Sequence, residues 1–175
     1  AKCLSSKATF FLSDGLSSYH EGKADVIAIC GMGGSLMGRI ISEGRDKINE
    51  GDHLLLQPQS EIPSFRAFLR SDGLIIEDED MVKERGKFYP IILAKASSQK
   101  DSMSVSGAVR PFDVYDTYGP VLIKKRHPVL REYLALERER TISLLKKLDS
   151  KKNKDDALRL KGVLEMNEQC MYMIS

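Results

Sequence analysis

The stretch Asp25-Val-Ile-Ala-Ile-Cys-Gly-Met-Gly-Gly34 decides the fold class of this chain. Five apolar residues follow Asp25 without alternation, a pattern typical of a strand buried on both faces of a parallel sheet. After the glycines, apolar residues recur at three- and four-residue spacing up to about Ile48. This spacing predicts a helix, so the glycines lie on a strand-to-helix turn.

The flanking sequence predicts the rest of an α/β domain. Four further runs are β-prone: 7–12, 52–56, 74–77 and 88–94. The first ends at a Ser-Asp-Gly turn signal, and the second leads through Gln57-Pro58 into an amphipathic helix that ends at Asp72-Gly73. The last two runs predict an antiparallel hairpin, with the charged segment 78–87 between them. Strand, helix, strand, helix and a closing hairpin predict a sheet whose ligand loops lie at the carboxyl ends of its parallel strands.

The sequence after residue 96 has a different pattern. Residues 97–111 are rich in Ser, Gly, Lys and Asp and predict a flexible loop. From His127 onward, apolar residues keep a helical spacing on either side of a polar turn at 149–154. Two antiparallel helices packed as a coiled-coil hairpin are predicted there. We therefore divide the chain into an α/β domain at 1–123 and a helical hairpin at 124–175.

Composition excludes several classes of protein. The chain has 175 residues, of which 42% are hydrophobic and 30% are charged, as in an ordinary soluble domain. Its longest apolar runs are far too short to cross a bilayer, and no secretory signal opens it, so a cytoplasmic protein is expected. Three cysteines, odd in number and widely spaced, predict reduced thiols, and together with three scattered histidines they predict no metal site.

Positive charge is concentrated in one segment. Residues 124–154 contain eleven Lys or Arg and four Asp or Glu, a net charge of +7, whereas residues 1–123 have a net charge of −3. A solvated helical face explains such a segment, and so does a surface that binds a polyanion such as RNA.

Three motifs could form a site at the carboxyl edge of the sheet. The Gly31-Met32-Gly33-Gly34 turn allows close approach of a ligand to the backbone, although its spacing matches no dinucleotide fingerprint and no Walker lysine follows. The alternative is that the turn binds no ligand and is only a tight connection between strand and helix. Asp14-Gly15-Leu16 is either a plain turn or a carboxylate acceptor for the exocyclic amine of a nucleoside.

The remaining candidates are polar side chains near these turns. Gln57 could read the edge of a base through one donor and one acceptor, or could simply cap a loop. Arg66 and Arg70 lie one helical turn apart, where arginines are usually solvated and sometimes contact phosphate.

Together these segments resemble the tRNA (adenine-22-N1)-methyltransferase family, also called TrmK-like. Five segments are similar to the family pattern and occur in the family's order: Asp25–Gly34, Leu55–Pro58, Lys87–Tyr89, Tyr118–Leu122 and His127–Tyr133. Gln59 and Pro90 depart from that pattern, which has Asn and Glu there. The resemblance covers about Leu4 to Leu164.

The resemblance implies a class I, Rossmann-like methyltransferase sheet and an S-adenosylmethionine cofactor. The family's first strand, its glycine-rich cofactor loop and the acidic end of its second strand have no counterpart here. We therefore expect an N-terminally truncated chain with half a cofactor site, in which the strand at 26–29 has an exposed edge.

The resemblance also implies methyl transfer to N1 of an adenine in tRNA. N1 is already a nucleophile, so alignment is expected to suffice without a catalytic base. The site would be formed by residues of three kinds. Those at the reacting base are Gly31, Met32, Gly33 and Gly34. Those at the cofactor are Asp14, Gly15, Leu16 and Gly31. Those at tRNA are Gln57, Pro58, Arg138, Arg140, Lys146 and Lys147.

Two other classes of function stay open. The chain could be a non-catalytic RNA-binding fragment, or an oligomerising protein whose coiled coil is its purpose; the basic excess argues against the second. If the chain is a methyltransferase, a β-branched residue in place of Gly33 is expected to keep the fold but abolish activity. The turn would lie against a planar adenine, and Gly33 would have a backbone conformation that favours glycine.

Overall fold

A computed structural model describes residues 10–19, 24–97, 113–148 and 153–175. Its four strands are β1 (Val26–Met32), β2 (His53–Pro58), β3 (Leu74–Glu84) and β4 (Lys87–Ala96). Its helices are α1 (Gly34–Glu43), α2 (Ile62–Ser71), α3 (Val114–Tyr118), α4 (Pro120–Lys124), α5 (Pro128–Lys147) and α6 (Lys154–Met173), with a short 3-10 helix at Arg45–Lys47. No helix in these ranges is long and apolar enough to cross a membrane.

The strands form one mixed sheet in the order β1-β2-β4-β3. β1 and β2 are parallel, and β4 runs antiparallel to both of its neighbours. The predicted strand, turn and helix at 25–34 are thus confirmed, as are the second strand, the helix ending at Asp72-Gly73 and the closing hairpin. Of the strand predicted at 7–12, residues 10–12 are not extended into a sheet, and the rest lies outside the described residues.

One face of the sheet is buried. Helices α1 and α2 cover it, and the core there includes Ile29, Leu54, Leu56 and Ile92. The prediction that β1 is buried on both faces is wrong, because its burial alternates and Val26 keeps 52% of its surface exposed. Helix α1 also ends earlier than predicted, since the Gly44 N–H closes its last turn on the Ile40 carbonyl.

The hairpin is longer than its apolar residues indicate. The charged segment predicted as a connection is strand up to Glu84, and the turn consists of Arg85 and Gly86 alone, both with positive φ as a two-residue hairpin turn requires. A bulge at Glu77 shifts the pairing register between Ile76 and Asp78. Because the bulge adds one residue, the side chains beyond it return to the α2 face.

A second core joins β3 to the C-terminal helices. It contains Met81, Tyr118, Leu122, Leu134 and Cys170, among others. It therefore includes residues on both sides of the predicted boundary at 123, and that boundary stays a prediction. The predicted loop at 97–111 lies almost entirely outside the described residues.

Helices α5 and α6 pack against each other, as the sequence predicts. The Arg131 guanidinium, near the start of α5, donates to the Ile174 carbonyl just after α6, and Asn167 donates to the Leu134 carbonyl at 2.9 Å, so the two helices run antiparallel. Coiled-coil winding stays a prediction, and most of the turn predicted at 149–154 lies outside the described residues.

Candidate active site

The last residues of β1 and the turn that follows them bring backbone to the carboxyl edge of the sheet. Gly31 has φ +81°, a conformation that favours glycine, and the pairing register with β2 shifts beside it. The Gly34 N–H donates to the Ser60 carbonyl at 3.0 Å, which joins the start of α1 to the loop before α2. Met32 is half-buried against the first core.

The three glycines of the turn have different structural roles. A Cβ on Gly31 would meet nothing closer than Gln59 Nε2 at 4.0 Å, so this position faces open space. A Cβ on Gly34 would lie 2.8 Å from Phe65 Cβ and 3.0 Å from the Ser60 carbonyl oxygen, so close packing requires glycine there. Gly33 has φ −69° and ψ 152°, which any residue adopts, so the expected special backbone at Gly33 is wrong and belongs to Gly31.

Gln57 is bound to the turn through one half of its amide. Its Oε1 accepts the Gly31 N–H at 3.1 Å, and since a backbone N–H pairs only with an acceptor, this contact fixes which atom is oxygen. Its Nε2 is buried and has no partner among the described residues. One acceptor position of the Gln57 amide is therefore taken by Gly31, while its donor has no partner among the described residues, and the reading of a base by Gln57 stays a prediction. Pro58 is buried at the end of β2, opposite Met32.

A carboxylate also lies beside the turn. Glu61 has φ 55°, and its Oε2 accepts the Ser35 N–H at 3.2 Å. Hydrogen bonds from the Ser35 side chain and backbone hold the pKa of the Glu61 carboxyl below its usual range. Sequence reasoning missed this residue, because a left-handed glutamate before a helix has no sequence signature.

The Asp14-Gly15-Leu16 turn packs near the C-terminal end of α1, not near the glycine turn at its start. Positions around it pack on Ile40 and Gly44: a Cβ on Gly15 would lie 3.1 Å from Ile40 Cγ2. Ile40 is six residues beyond Gly34, about 9 Å along the helix at ~1.5 Å per residue. The structure thus does not bring this turn to the glycine turn, and its cofactor role stays a prediction.

The basic residues predicted to bind tRNA are all on the surface of α5. Arg138 lies 3.8 Å from Glu168 on α6, whereas no ion pair is seen within the described residues for Arg140, Lys146 or Lys147. The last two occupy the final turn of α5, where positive charge also offsets the helix dipole. Their role in binding RNA stays a prediction.

Arg66 is buried, whereas Arg70 keeps 46% of its side chain exposed, and both are paired with carboxylates. The Arg66 side chain is 1% exposed and donates from Nε to Glu79 Oε1 at 2.8 Å, while Arg70 pairs with Asp116. Burial lowers the pKa of Arg66, and the Glu79 carboxylate opposes that shift. The sequence held one signal: Arg66 lies four residues after Ile62, within the apolar stripe of its own helix.

The Arg66–Glu79 pair also holds the chain beyond the sheet. Arg66 Nη1 donates to the carbonyls of Asp116 and Thr117, at 2.8 and 3.1 Å. Glu79 Oε2 accepts the Val121 N–H at 2.9 Å. This pair therefore joins α2 and β3 to the short helices α3 and α4.

No three His, Cys, Asp or Glu side chains lie together as metal ligands in the described part of the chain. The two cysteines there, Cys30 and Cys170, are both free thiols.

Comparison with known proteins identifies the family. Residues 1–169 match the family model described as tRNA (adenine(22)-N(1))-methyltransferase. The chain belongs to this family. It is 29% identical over 160 residues to the Bacillus subtilis (strain 168) tRNA (adenine(22)-N(1))-methyltransferase, an alignment that covers 87% of this chain and 64% of that protein. The crystal structure of the B. subtilis m1A22 tRNA methyltransferase TrmK matches with a TM-score of 0.70 and 28% identity, over 91% of this chain and 68% of that one.

Two further structures support the fold. A Streptococcus agalactiae protein of the NADB-Rossmann superfamily is 25% identical, with a TM-score of 0.77 over 96% of this chain and 69% of its own. The M. capricolum TrmK, solved in complex with S-adenosyl-homocysteine, has a TM-score of 0.72 over 94% of this chain and 69% of its own, at 16% identity. The predicted α/β class with Rossmann-like relatives is thus confirmed. The chain spans less than two thirds of the curated relatives it matches, 64% and 56% of their lengths.

Proposed function

We propose that this chain takes part in S-adenosylmethionine-dependent methyl transfer to N1 of an adenine in cytoplasmic tRNA, and that it forms the side of the site that faces the base. The observation that carries the proposal is the Gly31 turn held by Gln57. A left-handed glycine faces open space there, and a buried amide donor without a protein partner lies beside it. Membership of the family supports the same reaction.

The turn fits the reactive end of a methyl donor. The open side of Gly31 leaves room for a ligand against the backbone, and the nearby Glu61 carboxylate favours a positively charged group. When bound, S-adenosylmethionine would supply a methyl group activated by its sulfonium. Gly31 would contact it, and Asp14, Gly15 and Leu16 remain candidates for its nucleoside part.

The chain's own groups would align the acceptor. Adenine N1 has a lone pair in the plane of the ring, so methylation needs no base to remove a proton, and orientation supplies most of the catalysis. Gln57 Nε2 would donate to a ring nitrogen of the adenine other than N1, which leaves the N1 lone pair available and satisfies a donor that is otherwise buried without a partner. Met32 and Gly33 would line the same turn, and Gly34 would set how closely α1 approaches it.

Helix α5 would bind the tRNA backbone. Arg140, Lys146 and Lys147 are exposed cations on one helix, and within the described ranges Arg138 has a long ion pair with Glu168, at 3.8 Å. Phosphate contacts of this kind give affinity and position without reading sequence.

A non-catalytic RNA-binding fragment is the second candidate. The observation that favours it is the position of the Asp14 turn, about two helical turns away from Gly31 along α1. In such a protein the basic helices would still bind tRNA, and no methyl transfer would follow.

The test compares the chain with a chimera. The part of the B. subtilis relative that precedes its matched region would be fused before Ala1, and tritiated methyl incorporation into an unmodified tRNA transcript would be measured. Primer extension then locates N1-methyladenosine as a stop. Methylation at an adenine by the chain or the chimera supports the proposal. If neither transfers methyl while both bind tRNA, the RNA-binding fragment is the correct function.

A point variant tests the site itself. Gln57→Leu removes the donor and also the acceptor of the Gly31 N–H, and the loss of each buried hydrogen bond, about 1 to 3 kcal/mol, corresponds to a rate about 5- to 150-fold lower. Gln169→Leu, on the exposed surface of α6, is the matched control and should leave the rate unchanged. Equal rates for the two variants would exclude Gln57 from the site.

A further inference from the structure

A cavity of about 240 Å³ lies between the start of β4 and the middle of α5. Its lining residues are Phe88, Tyr133, Leu136, Glu137, Arg140 and Thr141, and we call it the α5 cleft. None of these residues belongs to the glycine turn. The α5 cleft is thus separate from the glycine turn.

The α5 cleft has an aromatic wall. The rings of Phe88 and Tyr133 meet edge to face, with centroids 5.3 Å apart, and Tyr118 packs behind Tyr133 at 6.4 Å. Lys83 Nζ lies 5.4 Å from the Phe88 ring centroid. Rings held in this way lose little conformational entropy when a flat ligand stacks on them, and nucleobases stack on such rings without regard to sequence.

The Glu137 carboxylate is the hydrogen-bond acceptor of the α5 cleft. Its Oε2 accepts from the Tyr118 hydroxyl at 2.7 Å and from Asn167 Nδ2 at 2.9 Å, and its Oε1 accepts from the Tyr133 hydroxyl at 3.0 Å. A carboxylate has about four acceptor positions, so one position on Oε1 remains. The α5 cleft therefore offers an acceptor to a ligand with an N–H donor.

The charges around the α5 cleft select the kind of ligand. The Glu137 carboxylate disfavours an anion inside, whereas the exposed Arg140 favours one outside; the ammonium of Lys83 nearby is already paired with Glu132. A nucleotide has this distribution: a neutral flat base and a phosphate beyond it. Adenine, cytosine and guanine have amino donors, whereas uracil has no amino group and only one ring N–H.

The position of the α5 cleft fits the same RNA that would reach the glycine turn. β4 runs antiparallel to β2 with Ile92 opposite Leu56, so Phe88 lies beyond the carboxyl end of β2, on the edge where Gly31 lies. Strand spacing and rise place Phe88 on the order of 15 Å from Gly31. One base could occupy each position of the same tRNA.

We propose that the α5 cleft binds one unpaired, amino-bearing nucleobase of the tRNA, distinct from the base to be methylated. The proposal rests on the proposed function for the identity of the RNA. It assigns Phe88 and Tyr133 as the stacking surface, Glu137 as the acceptor that reads the amino group, and Arg140 as a phosphate contact.

The first experiment fills the α5 cleft. Leu136→Trp places an indole in it, and Leu144→Trp, two turns further along the same helix with 51% of its surface exposed, is the matched control. Because Leu136→Trp would prevent one base from stacking, its affinity for tRNA should be about 5- to 150-fold lower than that of the parent chain. The affinity of the control variant should be within twofold of the parent's. Circular dichroism confirms that both variants are folded. Equal affinities for the two folded variants would overturn the proposal.

The second experiment does not depend on tRNA. AMP, CMP and UMP are titrated while the ring resonances of Phe88 and Tyr133 are followed by NMR. AMP and CMP should shift these resonances at lower concentration than UMP does. In Glu137→Gln the amide oxygen is required by Tyr118 and Asn167, so the nitrogen takes the place of Oε1, and the preference should change to UMP.

The two experiments separate the two proposals. A parent chain that binds no tRNA contradicts the proposed function, while the nucleotide titration still decides the α5 cleft. Ring resonances that respond equally to the three nucleotides, or a preference that Glu137→Gln leaves unchanged, would overturn the assignment of Glu137.

Discussion

Replacing Glu79 with alanine tests what holds the two cores together. The change leaves the Arg66 guanidinium, with 1% of its side chain exposed, without its carboxylate partner. It also removes the acceptor of the Val121 N–H, which lies 2.9 Å from Glu79 Oε2. A charge left buried and unpaired is the dominant cost.

The size of the effect follows from that burial. Breaking a buried ion pair on one side costs about 3 to 5 kcal/mol. Domains have a free energy of unfolding of only about 5 to 15 kcal/mol, so the loss is a large part of it. For a chain of this length, each kcal/mol lowers the melting temperature by about 2 to 4 °C, which predicts a decrease of about 6 to 20 °C.

Urea denaturation followed by circular dichroism at 222 nm measures this cost. Glu84→Ala, on the exposed end of the same strand, is the control and should change the free energy of unfolding by less than about 0.5 kcal/mol. The double variant Arg66→Met/Glu79→Ala removes the unpaired charge and should be less destabilised than the sum of the two single variants. A Glu79→Ala cost below about 1 kcal/mol would refute the buried pair as the connection between the cores.

Further predictions concern the glycine turn, the basic helix and the thiols. In urea denaturation, Gly31→Ala should cost about 1 to 3 kcal/mol through its positive φ, and Gly34→Ala a similar amount through crowding against backbone. Gly33→Ala should cost less than either, because its Cβ would lie 2.8 Å from the Ser60 hydroxyl, a side-chain end that can rotate away, and equal costs would contradict the distinct roles of these glycines. The second change neutralises four basic residues of α5: Arg138, Arg140, Lys146 and Lys147. It should weaken tRNA binding and reduce the slope of log affinity against log salt concentration by roughly 0.7 to 0.9 for each phosphate that is no longer neutralised. An unchanged slope would assign the helix to another role. Cys170 should resist iodoacetamide at pH 8, while the exposed Cys30 reacts. Burial, together with the nearby Glu137 carboxylate, raises the pKa of Cys170 to about 12, which leaves about one thiol in ten thousand ionised at that pH. Equal labelling of the two cysteines in the native protein, measured by peptide mass spectrometry, would contradict this.

Local pattern was sufficient for most of the fold. The unbroken run before Gly31, the helical spacing after Gly34 and the two β-prone runs of the hairpin each depend on neighbours in sequence, and the structure confirms all of them. The candidate site was only partly predictable. Gln57 was recognised as polar and well placed, but the split of its amide between Gly31 and a free donor depends on a residue 26 positions away.

By itself, then, the sequence determined the order from β1 to β4, the glycine turn, the two long C-terminal helices and the basic character of α5, because each depends on composition or on periodicity over a few residues. It did not predict the short helices α3 and α4. The tertiary structure alone decided where the charged segment of β3 points. One bulge at Glu77 returns Glu79 to the α2 face, where Arg66 becomes its buried partner. A bulge is set by pairing with β4 and by the cost of burying an unpaired charge, and both involve residues distant in the chain.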